Sequence, residues 1–350
     1  MSIAYSDPAT ARSIAPGDEI PVLDLGPYRA GENDALKHLG QQLRHACDNV
    51  GFYFVTNHGV PQDLIDSAFA AAAQFHAQPL EAKQALKVNE HNIGYMGFKG
   101  STTRSSRVHK NTKPNLNEAY FLKRDLPADH PDVVANRRYR GANQWPAPSA
   151  LPGFRETVIA YCDAVEAMAI MLLPIYAEAL NLPHDFFDDK FQEPQYTLRM
   201  THYPQVPDSE IEDNAYAIAP HTDSGFMTLL PQNELPGLAI RLADGAWVEA
   251  PTLAGSYLVN TGDLGRRWTN DRFLSTPHRV VHRGDRSRYA IPMFVDCDID
   301  AVMKCLPSCT GPTNPPRHEP TTYTEYMLWF GSQNYAHIKA QAGEKVAQAD

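Results

Sequence analysis

Cysteine is scarce in this chain, with five residues in 350, and the count is odd. A disulfide-stapled scaffold is thereby excluded, since such frameworks need paired cysteines at high density. Only Cys305 and Cys309 stand close together, and no second Cys/His pair sits at zinc-finger spacing, so all five are expected as free thiols. Positive charge is also in short supply. The net charge of -10 argues against a general affinity for nucleic acids or anionic membranes, both of which need a basic surface. No apolar run approaches the roughly eighteen residues of a membrane span, and Met1 to Pro16 lack the charged-then-apolar layout of a signal peptide. There is no internal repeat. The expectation is a cytoplasmic protein without nucleic-acid or membrane partners, in a reducing compartment that suits free thiols.

What is present is apolar content of 43%, ample for one large core. Residues 1–18 are rich in Ala, Ser, Pro and Asp without periodicity, which predicts a poorly ordered arm. A second region, 19–122, opens with a strand over Ile20–Leu25. Leu36, Leu39, Leu43, Ala46 and Cys47 then give Asn33–Val50 the spacing of an amphipathic helix. Phe52–Thr56 reads as a strand and Asn57–Pro61 as a turn. Helices over Pro61–Ala77 and Pro79–Val88 are each opened by a proline. Between Asn92 and Leu122 the pattern dissolves. Its stretch 99–113 carries Lys99, Arg104, Arg107, Lys110 and Lys113 without an acid. Five cations in an acidic chain are expected to draw an anionic substrate, with Arg104 and Arg107 as candidate contacts.

The third region, 123–350, begins with a long helix at about 153–180, which Pro174 is expected to kink or split. From about 196 to 296 come short apolar runs divided by Gly, Pro, Asn and Asp, the pattern of an antiparallel sandwich or jelly roll. Tyr323–Lys339 reads as a closing helix.

Chemistry concentrates in Pro220-His221-Thr222-Asp223-Ser224-Gly225, just before the apolar run Phe226–Leu230. In a strand, residues i and i+2 share a face, so His221 and Asp223 could reach one metal ion together. His278, which follows Pro277 and opens a β-branched run, supplies a third ligand. Two His and one Asp form the facial triad of non-haem Fe(II) oxygenases. Ten residues further on, Arg288 offers a guanidinium beside the metal, which suits a small dicarboxylate chelating at one end and paired at the other. The same three ligands would also serve a zinc hydrolase or a non-catalytic metal-binding barrel.

These stretches carry a resemblance. With Asn57-His58-Gly59-Val60-Pro61, Val259-Asn260-Thr261-Gly262-Asp263 and Arg267-Trp268-Thr269-Asn270, the chain resembles the isopenicillin N synthase-like 2-oxoglutarate/Fe(II)-dependent dioxygenases over nearly its whole length. The resemblance implies a mainly β fold, a double-stranded β-helix core with flanking helices and a helical N-terminal portion. It implies Fe(II), 2-oxoglutarate and O2, with ascorbate as reductant. Oxidative decarboxylation would be coupled to hydroxylation, desaturation or cyclisation of a small-molecule substrate. It makes His221, Asp223 and His278 the iron ligands and places Arg288 on the distal carboxylate of 2-oxoglutarate. Asp223 argues against the halogenating relatives, which lack this carboxylate. The chain departs from the family in two places. Thr201 stands where an asparagine is usual, two residues before the co-substrate tyrosine matched by Tyr203, and Ala290 stands where Arg-x-Ser has its serine. Tyr203 is the expected substitute donor. The alternative is the 2-oxoglutarate-independent synthase branch.

Overall fold

Strands of this chain alternate between side chains that meet helices and side chains that turn inward, and that alternation builds the site. The computed structural model describes residues 11–103, 108, 111–207, 215–281 and 286–334. In its first half come β1 (Arg12–Ser13), β2 (Val22–Asp24), α1 (Gly26–Arg29), α2 (Ala35–Asn49), β3 (Phe52–Thr56), α3 (Gln62–His76), α4 (Leu80–Gln84), β4 (Gly94–Met96), β5 (Glu118–Lys123), α5 (Pro131–Val134) and α6 (Phe154–Ala179). The second half adds β6 (Gln195–Tyr203), β7 (Ile218–His221), β8 (Met227–Pro231), β9 (Leu238–Arg241), β10 (Trp247–Glu249), β11 (Tyr257–Thr261), α7 (Asp263–Trp268), β12 (His278–Val280), β13 (Arg288–Ala290), β14 (Met293–Asp296), β15 (Val302–Met303), β16 (Thr321–Thr322) and α8 (Tyr323–Asn334).

Two sheets make the jelly roll. The larger runs β2-β3-β11-β8-β14-β6-β5-β4, with β13 also paired to β6, and the smaller runs β1-β10-β9-β12-β7. Along β6, Tyr196, Leu198 and Met200 join the main core with α3 and α6, and along β14 Met293 and Val295 do the same. The intervening residues turn the other way. Phe52, Phe54, Leu258 and Tyr203 from the large sheet meet Ile218, Ile240, Val248 and Val280 from the small one in a second core. This is the period-two rule applied to a sheet covered on both faces.

Several expectations need correction. The N-terminal arm is not structureless throughout, because Arg12 and Ser13 pair in parallel with Val248 and Glu249; residues 1–10 lie outside the described residues. The segment 92–122 is not a continuous loop. It contains β4 and most of β5, and β5 buries all six of its residues, Glu118 and Lys123 included. Pro174 does not split α6, which runs through 26 residues. That helix is also long and apolar enough to meet the length and composition of a membrane span, contrary to the expectation that no run approaches it. In this fold it is a core helix whose Val158, Val165, Leu172 and Tyr176 are fully buried.

Candidate active site

β7 ends at His221 and β12 begins at His278, and the two residues stand opposite each other in the ladder. Their rings lie 4.3 Å apart, centroid to centroid. Asp223 is not on the strand, as the spacing suggested, but in the loop beyond it, so the pleat does not deliver its carboxylate. A clamp does. The Asp263 amide donates to the Asp223 carbonyl at 2.7 Å, the Leu264 amide to Ser224 and Gly225, and the Gly262 amide to Phe226. The first turn of α7 thus holds the loop by its backbone. A Cβ at Gly262 would sit 2.2 Å from the Gly225 carbonyl oxygen, so only glycine permits this approach.

The donor atoms converge. Asp223 Oδ1 lies 3.7 Å from His221 Nε2 and 3.6 Å from His278 Nε2. Every other polar atom of the three is engaged elsewhere. His221 Nδ1 donates to the Ala219 carbonyl at 2.9 Å and His278 Nδ1 to the Thr276 carbonyl at 3.2 Å, which fixes both tautomers with the Nε2 lone pairs inward. Asp223 Oδ2 accepts from Thr228 Oγ1 at 2.6 Å and Asn260 Nδ2 at 2.8 Å. Burial pushes the His221 imidazole down to about 3, with His278 adding to the effect, so it stands as a neutral ligand. Burial opposes ionisation of Asp223, but the two imidazoles and the hydrogen bonds from Thr228 and Asn260 outweigh it and hold its carboxyl below the ordinary range. A neutral His221 and an ionised Asp223 are what a divalent cation requires of these two donors.

A second group of metal-type donors, buried His76 and Glu118 with half-buried His202, is also close together. It already has its cation: Lys83 Nζ lies 3.0 Å from Glu118 Oε2, while Tyr95 donates to the same oxygen and His202 Nδ1 meets Oε1 at 2.7 Å. This is a structural hub. His58 is structural too, with its Nδ1 accepting from the Val60 amide and its Nε2 on the Gly255 carbonyl.

Two cavities adjoin at His221 and Asp223. One, of about 530 Å³, is lined by Thr201, Tyr203, His278, Arg288 and Ala290. Arg288 pairs with Tyr203 across the β6–β13 ladder, its guanidinium lies 5.0 Å from the Tyr203 ring, and its Nε donates to the Leu235 carbonyl at 3.2 Å. Arg288 Nη1 and Thr201 Oγ1 are buried without a hydrogen-bond partner among the described residues. Orphaned buried donors are rare in native proteins and mark a place where something else binds. A guanidinium and a hydroxyl at one end, with the three ligands at the other, fit a keto dicarboxylate.

The other cavity, of about 920 Å³, is lined by Lys123, Thr197, Arg199 and Asp296 among its polar residues and by Phe294, Met327 and Phe330 among its apolar ones. Lys123 donates to Thr197 Oγ1, and Asp296 Oδ1 accepts the Phe226 amide at 2.6 Å. Burial pushes Lys123 down to about 7 and Asp296 up to about 7. Arg104 and Arg107, the expected substrate contacts, lie outside the described residues. Sequence reasoning gave no role to Thr228, Asn260, Lys123, Arg199 or Asp296. Asn260 had a signal, since it sits in the Val259–Asp263 motif, whereas Lys123 lay just past the patternless stretch 92–122 and carried no motif.

The comparisons agree with this geometry. The N-terminal model of non-haem dioxygenases in morphine synthesis matches residues 20–148, and the 2OG-Fe(II) oxygenase superfamily model matches 194–296. The chain is 36% identical over 334 residues to the 2-oxoglutarate-Fe(II) type oxidoreductase hxnY of Emericella nidulans, covering 94% of each. It is similar to a full-length Neurospora crassa protein crystallised in complex with alpha-KG, with a TM-score of 0.78 and 25% identity over 92% of this chain and 98% of that one. It is also similar to the crystal structure of JOX2 in complex with 2OG, Fe and JA, with a TM-score of 0.73 and 26% identity over 95% and 91%. With a jelly roll that brings two histidines and an aspartate together beside a buried arginine, and with relatives matched along its length, the chain belongs to the 2-oxoglutarate/Fe(II)-dependent oxygenase superfamily.

Proposed function

We propose that His221, Asp223 and His278 are the iron ligands of this dioxygenase, and that Arg288, Thr201 and Tyr203 hold 2-oxoglutarate. The observation that carries the assignment is the one-sidedness of the donor set. Both Nδ1 atoms and Asp223 Oδ2 are occupied by the protein, so His221 Nε2, His278 Nε2 and Asp223 Oδ1 face one point. Fe(II), 2-oxoglutarate and O2 supply the oxidation, with succinate and carbon dioxide as co-products and a small molecule as the oxidised substrate; ascorbate serves only to keep the iron reduced. The protein's own share is positional. Thr228 and Asn260 hold one carboxylate oxygen of Asp223 so that the other faces inward. Arg288 is held by the Leu235 carbonyl and backed by the Tyr203 ring, and its free Nη1 orients the distal carboxylate. Leu230, Leu238 and Val280 form the apolar part of that cavity's wall. Five free thiols support a reducing compartment such as the cytoplasm.

Anaerobic titration of Fe(II) and 2-oxoglutarate, followed by the visible charge-transfer band of the complex, tests the assignment. His278→Ala is expected to lose most iron affinity and turnover, and Arg288→Gln to weaken 2-oxoglutarate at least tenfold. Full iron binding by His278→Ala would remove it from the ligand set. Undiminished O2 uptake without 2-oxoglutarate would instead place the chain in the synthase branch.

A further inference from the structure

Among the described residues, the charged side chains lining the two cavities are Lys123, Arg199, Asp223, Arg288 and Asp296. With the co-substrate site as proposed above, the two positive charges of the iron and the one of Arg288 balance the one negative charge of Asp223 and the two of a keto dicarboxylate. Lys123 and Asp296 lie diagonally across β6, opposite Thr197 and Gln195 respectively, and contribute no net charge whether both are ionised or both neutral. Among the described residues one charge is left over, that of Arg199. Its setting is consistent with a waiting partner. Nη2 donates to Asn117 Oδ1 at 3.1 Å, the guanidinium lies 5.4 Å from the Phe121 ring, and Nε is buried without a hydrogen-bond partner among the described residues. Asn117 is itself anchored on the Ala217 carbonyl, so the guanidinium is held on the cavity wall rather than in solvent. No carboxylate forms an ion pair with Arg199 among the described residues.

We infer that the substrate of this enzyme carries an anionic group, a carboxylate in the simplest case, which Arg199 binds while the rest of the molecule packs against Met327, Phe330 and Phe294. A half-buried guanidinium with no carboxylate partner among the described residues is a ready anion site, and it matches a carboxylate in a two-pronged contact that a neutral amide cannot reproduce. The apolar side of the cavity sets the remainder: an acid with an aromatic or alicyclic body rather than a short polar one.

The experiment compares matched probes on the enzyme loaded anaerobically with Fe(II) and 2-oxoglutarate: benzoate against benzamide, and cyclohexanecarboxylate against its amide, each titrated by calorimetry. The wild type is expected to bind at least one acid about tenfold or more tightly than its amide. Arg199→Gln should erase that preference, Arg199→Lys should keep part of it, and both variants should retain 2-oxoglutarate within about threefold. A preference that survives Arg199→Gln overturns the inference, as does a wild type with no preference in either pair, absence of binding included. Loss of 2-oxoglutarate along with the preference would assign Arg199 to the co-substrate and overturn it as well. Arg288→Gln, titrated in parallel, isolates the underlying reading: if 2-oxoglutarate affinity ignores that change, the charge balance fails at the co-substrate and not at Arg199.

Discussion

Thr201 stands directly opposite Ala290 across the β6–β13 ladder. The serine of the family motif Arg-x-Ser is missing at Ala290, yet Cβ atoms of directly opposed residues lie only about 5 Å apart, so the Thr201 hydroxyl can serve the same corner from the neighbouring strand. Tyr203, the donor expected from the sequence, presents its ring to Arg288. With the co-substrate site as proposed, the two departures from the family form a candidate compensating pair. Thr201→Val should raise the KM for 2-oxoglutarate about tenfold, and Ala290→Ser added to it should recover most of the loss, since a hydrogen bond to a charged group is worth about 1.5 to 3 kcal/mol. A double variant no better than Thr201→Val would separate the two positions. The three proposed ligands could be picked from residue type and spacing alone, and the structure brings their donor atoms together. Their supports could not, because Thr228 and Asn260 reach Asp223 only through the pairing of β8 with β11. Asn260→Ala is expected to lower iron affinity by about 10- to 100-fold with little change in thermal stability, as metal titration and melting would report.

At the scale of elements, β5, like its neighbour β4, was hidden from sequence reasoning, and its ends show one reason. Glu118 and Lys123 bracket Ala119-Tyr120-Phe121-Leu122, and charged ends read as loop. The fold buries both because each finds partners. Glu118 joins α3 through His76, α4 through Lys83, β4 through Tyr95 and β6 through His202. Burial alone would raise its carboxyl, but hydrogen bonds from His202, His76, Tyr95 and Lys83 outweigh that and hold it far below the ordinary range. A carboxyl with a depressed folded pKa stabilises the protein above its unfolded value, and that contribution fades as pH falls through the usual carboxylate range toward the folded value. Glu118→Gln should cost about 3 to 5 kcal/mol at neutral pH, since it leaves Lys83 buried without its counter-charge. The gap between wild type and variant should narrow on acidification below about pH 4.5 in denaturant titrations; a gap that widened there would contradict the depressed pKa. α6 shows the opposite case. Its stripe of apolar residues was plain, and only the effect of Pro174 was misjudged, because packing on β14, α2 and α3 sustains the helix around one missing hydrogen bond.

For the whole molecule, the antiparallel character of 196–296 and the order of its runs could be read from turn residues and short apolar stretches. The division into two sheets could not, since neighbours such as β3 and β11, or β9 and β12, are far apart in sequence. That division places one strand, β6, along both cavities, with Thr197 and Arg199 lining one and Arg199, Thr201 and Tyr203 the other. Strand residues advance about 3.3 Å each, so Arg199 and Tyr203, which faces Arg288, are separated by roughly 13 Å of backbone. Neither anchor can slide along the strand, because a one-residue slip would turn the whole inward row outward. The strand is accordingly a ruler. The carbon that is oxidised is counted in ångströms from the acid group and not by its chemical reactivity, so in a series of chain-lengthened acids the oxygen should stay at a constant number of bonds from the carboxylate. Mass-spectrometric mapping of the products would read that number directly, and a position that followed the weakest C–H bond instead would show that the anchors do not set the register.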